Sequence, residues 1–176
     1  MTHEWIKSHP DGSAHLPVVA NWLIGATSRK DWILDAGCGN GALCRLLQER
    51  GHDWLRGMDI EQSHVAAARD ADRSGFGCAF YCHDFLAEPV GKPRIFAAIA
   101  CMGWAHTSWP PDPDKARETL PRLSEAAKWY IAPRGYLLID WPTHAYEFTP
   151  EEVTSRGWIQ FNVLDAAKPV YIFRRE

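Results

Sequence analysis

Residues 32–41, WILDAGCGNG, constrain this chain more than any other stretch. Trp32, Ile33 and Leu34 form a short apolar run that meets a carboxylate, Asp35, and three glycines follow at alternate positions, Gly37, Gly39 and Gly41. Behind them, Ala42 to Arg50 puts Leu43, Leu46 and Leu47 at the spacing of one helical face. The pattern predicts strand, tight glycine loop, helix. Such a loop lets backbone approach a ligand with no Cβ in the way, and the first free N–H groups of the helix point into the same space. A nucleotide-like ligand is expected there. Gly37-x-Gly39-x-x-Ala42 also satisfies the loose dinucleotide pattern, with an acid about 20 residues further on. The loop alone therefore does not separate one nucleotide cofactor from another.

Asp35, two residues ahead of the first glycine, and Gly41 at the fifth loop position add a discriminating detail. An anion at the strand end is unfavourable beside a pyrophosphate and favourable beside a ligand that carries an ammonium and a sulfonium. The resulting D-x-G-x-G-x-G after an apolar strand resembles motif I of the class I S-adenosylmethionine-dependent methyltransferases. Further acids follow at intervals of about 25 residues, Asp59 closing the segment Trp54–Met58 and Asp84 following Phe76–Cys82. In a doubly wound sheet such strand-end residues share one crevice. A carboxylate one βα unit past the loop can accept from both ribose hydroxyls, and GMDIEQS is similar to the family's second acidic motif. The resemblance implies Asp59 on the ribose, Ile60 against the adenine face and Asp84 on the adenine amino group, with Phe85 beside it. It also implies cofactor contacts from Asp35, Gly37, Cys38, Gly39 and Gly41, and from Cys101 at the end of the fourth strand. Helix capping by Asp59 and an ordinary turn role for Asp84 are the plainer alternatives.

Bulk properties narrow the function classes. A length of 176 residues fits a single domain, 1–176, and is enough to bury a core. Residues 1–30 read as a partly helical, histidine-bearing arm over the cofactor site, with a helix from Val18 to Ile24 and with His9 and His15 within reach of substrate. The net charge is −3, and Lys and Arg are scattered, so no phosphate-tracking face is visible and a nucleic-acid partner is not expected. Neither an export signal nor an 18-residue apolar stretch appears, which suggests a cytoplasmic protein with no membrane partner. Five cysteines without a C-x-x-C pair read as reduced core residues, and no metal site is expected.

The fourth strand, IFAAIAC at 95–101, is apolar throughout, as a central strand buried on both faces would be. Its exit carries Trp104, His106 and Trp109, and the exit of the fifth strand, Tyr136–Asp140, carries Trp141, His144 and Tyr146. These two loops leave the carboxyl edge where a methyl acceptor belongs. His106 and, second, His144 are candidate general bases, and the four aromatic residues are candidate walls for a flat acceptor or for the sulfonium by cation–π attraction. Relatives that methylate exocyclic amines of bases carry Asp/Asn-Pro-Pro-Tyr/Phe after the fourth strand. Here Cys101-Met102-Gly103-Trp104 stands instead, which argues against an adenine or cytosine amino acceptor. APRGYLLID at 132–140 is similar to another family segment, with Arg134 where a glycine is usual. The expected architecture is α/β, a doubly wound, mostly parallel seven-stranded sheet closed by an antiparallel hairpin from 158–164 and 170–174. The expected activity is methyl transfer from S-adenosylmethionine to an oxygen or nitrogen of a small molecule. A macromolecular acceptor, or a relative that holds the cofactor without methylating, remains open, and the oligomeric state is not legible.

Overall fold

In the computed structural model the described residues are 15–72, 78–102, 113–140, 150–165 and 169–176, with the side chains of 113–118 and 120 left aside. The elements run α1 (Leu16–Ala26), β1 (Trp32–Ala36), α2 (Ala42–Glu49), β2 (Leu55–Asp59), α3 (Gln62–Ala71), β3 (Ala79–Cys82), β4 (Phe96–Cys101), α4 (Pro113–Tyr130), β5 (Ile131–Asp140), α5 (Pro150–Thr154), β6 (Trp158–Leu164) and β7 (Val170–Arg175). The strands form one sheet of order β3-β2-β1-β4-β5-β7-β6. β1 to β5 are mutually parallel, and β7 runs antiparallel to both β5 and β6. The expected fold is present.

Two apolar clusters account for the layering. Leu16, Val19, Ala20 and Leu23 of α1 pack with Leu43 and Leu47 of α2, Val65 and Ala68 of α3, and Ile33, Ala98, Leu138 and Ile172 of the sheet. On the other cluster Leu34, Ile99, Leu137, Ile139 and Phe173 meet Leu123, Ala127 and Tyr130 of α4 and Val153 of α5. Alternate residues of β1, Ile33 and Leu34, therefore divide between the two clusters. This is why the central strands read as continuous apolar runs rather than as alternating ones.

Three local features refine the expectations. α1 begins earlier than Val18, with Leu16 and Pro17 in its first turn, where the missing proline N–H costs nothing. α4 carries Pro121 inside a single helix. In β5 the register with β4 jumps from Ile131 to Tyr136, so residues 132–135 bulge out of the ladder. Arg134 adopts a φ of 65° in that bulge. A Cβ at Gly135 would lie 2.6 Å from Cγ2 of Ile131 and 2.8 Å from the carbonyl oxygen of Ala97, so only glycine fits where the strand rejoins.

Candidate active site

The parallel strands β1 and β2 end side by side, with Asp35 paired to Gly57 and Ala36 to Met58. The chain leaving β1 is fastened at once to its neighbour, because the N–H groups of Gly37 and Cys38 both donate to the carbonyl of Met58, at 2.7 and 3.0 Å. It then reverses tightly, with Gly41 N–H donating to the carbonyl of Cys38 at 2.8 Å. Gly37, Gly39 and Gly41 have φ of 76°, 52° and 76°, a left-handed conformation that an L side chain adopts only with strain.

The glycines differ in what surrounds them. A Cβ on Gly41 would stand 2.8 Å from Cζ of Phe80 and 3.2 Å from Cβ of Ala68, so this glycine lets α2 settle against β3 and α3. A Cβ on Gly39 would meet nothing within 4 Å. The space over Gly39 is therefore open, whereas that beside Gly41 is filled. The Phe80 ring is also what a side chain at Gly57 would strike, so one aromatic ring fills the gap that two glycines leave under the loop. Sequence reading missed this wedge, although a glycine in the middle of β2 was its available signal.

Asp59, the last residue of β2, braces the loop directly. Its Oδ2 accepts from Gly39 N–H at 2.8 Å, and its Oδ1 accepts from Glu61 N–H at 2.9 Å, at the residue that caps α3. Nδ1 of His64 lies 3.3 Å from the same Oδ1. Each carboxylate oxygen retains lone-pair capacity beyond these contacts, so loop bracing and hydroxyl binding are compatible. Next in the chain, Ile60 is 63% exposed, an apolar side chain at the rim suited to cover a flat ring.

Asp35 sits under the loop, 3% exposed. Burial, and secondarily the charge of Asp59, push its carboxyl up to about 7, against a smaller opposing effect from the Cys44 thiol that donates to Oδ2 at 3.8 Å. Asp84 follows β3, and its Oδ1 accepts from Leu86 N–H at 2.9 Å, a side-chain turn that fixes its direction. Thus the sheet brings Asp35, Asp59 and Asp84 to the carboxyl edges of three adjacent strands, the juxtaposition the spacing implied.

Other expected cofactor residues lie deeper. Cys38 is 7% and Phe85 5% exposed, and Cys101 is fully buried. The Phe85 ring stacks on Tyr130 at 5.5 Å, so its contact with a ligand would be through main chain. The same holds for Cys101 at the end of β4. Burial, with the charge of Asp35 next in effect, raises the Cys38 thiol, and burial with Asp35 and Asp140 raises that of Cys101, so neither is a ready nucleophile. The candidate bases His106 and His144 and the candidate walls Trp104, Trp109, Trp141 and Tyr146 lie outside the described residues, as does His9. His15, expected on the arm within reach of substrate, is buried beside Asp140 at the end of β5. Sequence reasoning had no signal for that pair, since its two members are far apart in the chain.

A doubly wound sheet with this strand order, a glycine loop after β1 and an acid closing β2 is the class I S-adenosylmethionine-dependent methyltransferase fold. The chain belongs to the methyltransferase-domain family, whose model matches residues 33–126. Among solved structures it is similar to magnesium protoporphyrin IX methyltransferase from Synechocystis PCC 6803, with a TM-score of 0.70 and 19% identity over 92% of this chain and 78% of that one. It is also similar to geranyl diphosphate C-methyltransferase from Streptomyces coelicolor A3(2), with a TM-score of 0.69 and 11% identity over 90% and 79%. The cyclase SpnF superposes with a TM-score of 0.67 and 14% identity over 90% and 80%. No curated protein sequence matches the chain.

Proposed function

We propose that this protein binds S-adenosylmethionine across the ends of β1, β2 and β3 and transfers its methyl group to an oxygen or nitrogen of a small-molecule acceptor. The observation that carries the donor site is the Asp59 carboxylate locked to Gly39 N–H at 2.8 Å, beside open space over Gly39. Asp35 and Asp59 supply negative charge for a cationic ligand, Asp59 supplies oxygens for a diol, and exposed Ile60 supplies an apolar plate for a purine. Asp84 is positioned for the exocyclic amine, with the main chain of Phe85, Cys38 and Cys101 completing the lining.

Bound there, the donor supplies an electrophilic methyl carbon. The protein's task is alignment and charge. A small acceptor is favoured by the scattered basic residues and by the aromatic sequences that follow β4 and β5. Two solved methyltransferases of the same fold are named for small acceptors, magnesium protoporphyrin IX and geranyl diphosphate. Trp104, Trp109, Trp141 and Tyr146 are assigned to the acceptor, and His106 and His144 to proton handling. The whole chain is taken to work as one domain. A cytoplasmic setting is part of this reading, supported by the absence, among the described residues, of a helix long and apolar enough to cross a membrane.

The test uses methyl-labelled donor and cell extract. Label recovered in the small-molecule pool, with S-adenosylhomocysteine formed in equal amount, is the expected result. Label in the polymer pool overturns the small acceptor, and donor binding without S-adenosylhomocysteine overturns methyl transfer.

A further inference from the structure

We propose, resting on the donor reading above, that His64 completes the ribose site, its Nδ1–H bridging the Asp59 carboxylate to a ribose hydroxyl. The imidazole stands in the first turn of α3, and its Nδ1 lies 3.3 Å from Oδ1 of Asp59, five residues earlier in the chain. Facing an oxygen that only accepts, this nitrogen must carry hydrogen, since two lone pairs set against each other repel. The contact thus fixes which ring nitrogen is the donor.

The other contacts of this segment come from backbone and from a thiol. Oδ2 of Asp59 accepts from Gly39 N–H and Oδ1 from Glu61 N–H, while the Asp59 carbonyl accepts from His83 N–H at 2.9 Å. One residue on, the Ile60 carbonyl accepts from the Cys82 thiol at 3.4 Å, beside the register that pairs Asp59 with Cys82. The carboxylate is buried, and the chain that bears it is pinned from the glycine loop, from the start of α3 and from β3. His64 differs. Among the described residues it supplies the side-chain donor on Asp59, and its side chain is 56% exposed. At 3.3 Å the bond is long for an N–H donor, which leaves the ring room to turn toward a ligand.

A buried carboxylate with an exposed N–H beside it suits a hydroxyl, which both donates and accepts. Donating to Oδ1, a hydroxyl keeps lone pairs that a carboxylate cannot satisfy, and enclosing them unmet would cost affinity. Nδ1–H of His64 stands close enough to Oδ1 to donate to a hydroxyl oxygen bound there. Asp59, the hydroxyl and His64 then close a triangle of hydrogen bonds. The pair selects against two neighbouring chemistries. A phosphate on the ribose meets the charge of Asp59, and a sugar without hydroxyls leaves both the carboxylate and the imidazole without their ligand partners.

Calorimetric titration tests this with S-adenosylhomocysteine and with its dideoxyribose analogue, which lacks both ribose hydroxyls, on wild type, His64→Ala and His64→Asn. His64→Ala should bind S-adenosylhomocysteine about three- to tenfold more weakly than wild type does, the worth of one hydrogen bond, and should bind the dideoxyribose analogue as wild type does. Asn places an amide N–H at the reach of Nδ1 and should restore most of the loss. Equal losses for the two ligands in His64→Ala would mean that the residue acts through the fold, and would overturn the bridge. No loss at all, or Asn as weak as Ala, would overturn it too. Each of these results leaves the donor site standing where wild type binds S-adenosylhomocysteine and prefers it to the dideoxyribose form. Wild type that binds neither ligand, or that binds both equally, overturns the donor reading and this proposal together.

Discussion

Asp35 carries the sharpest residue-level consequence. Its carboxyl is raised from 3.8 in an open chain to about 7 in the folded protein. A raised acid favours the protonated form in the native state. Its stabilising contribution is full below about pH 4 and is lost as the pH rises to about 7, a total on the order of 4 kcal/mol for a shift of this size. Asp35→Asn should therefore raise the thermal midpoint of the ligand-free protein at pH 8 and change it little at pH 4.5. The same variant should bind S-adenosylmethionine at least about tenfold more weakly at pH 8, because the ionised carboxylate faces the cationic donor. Wild-type affinity should climb between pH 6 and 7 and level off above. An Asn variant that is neither more stable at pH 8 nor weaker in binding would remove the electrostatic role given to Asp35.

Gly39 and Gly41, two residues apart in one loop, should respond oppositely to alanine. At Gly41 the added Cβ strikes Phe80 and Ala68, so stability should fall by several kcal/mol, with binding lost as a consequence. At Gly39 the Cβ enters open space, so only the left-handed strain of about 1–2 kcal/mol is added, while donor affinity drops out of proportion. Denaturant midpoints and calorimetric titration of the two variants distinguish them. Equal effects on both properties would mean that the space over Gly39 is not the ligand's.

At the scale of elements, α4 is tied to the antiparallel hairpin by a buried bond from Trp158 Nε1–H to Ser124 Oγ at 2.9 Å. Ser124→Ala leaves an indole N–H unsatisfied in the core, and a loss of about 1–3 kcal/mol in chemical denaturation is expected. No change would show that the indole finds another acceptor. The elements themselves were largely legible beforehand. β1 with its glycine loop, β2 and its terminal acid, the uniformly apolar β4 and the closing hairpin each announce themselves by local pattern and end where expected to within a residue or two. What local pattern could not supply were long-range contacts. The Phe80 wedge joins β3 to glycines in the loop before α2 and on β2, and His15 is buried beside Asp140 on β5. The continuity of α4 through Pro121 also went against local propensity, which tertiary packing of Leu123, Ala127 and Tyr130 overrides.

For the molecule as a whole, strand order converts a one-dimensional spacing into a site. Acids about 25 residues apart share an edge only because each βα unit returns the chain to the same side of a parallel sheet. This made the meeting of the three acids readable from sequence. The acceptor side was less so, because the residues proposed for it lie in the segments after β4 and β5, where composition offers aromatics and histidines but no periodicity to place them. The fold is shared by a porphyrin methyltransferase, a prenyl diphosphate C-methyltransferase and a cyclase. One fold thus serves different reactions, and what separates them lies in the side chains at the rim.

The central claim is that a carboxylate-braced glycine loop holds a cationic adenosyl donor. Calorimetric titration of S-adenosylmethionine into the wild-type protein and into Asp59→Ala at pH 8 tests it most directly. The account predicts saturable one-to-one binding in the wild type and a loss of at least about a hundredfold in the variant, which forfeits the brace on Gly39 and the ribose contact proposed for Asp59. Wild-type protein that takes up no S-adenosylmethionine, or a folded variant that binds it equally well, would contradict the account.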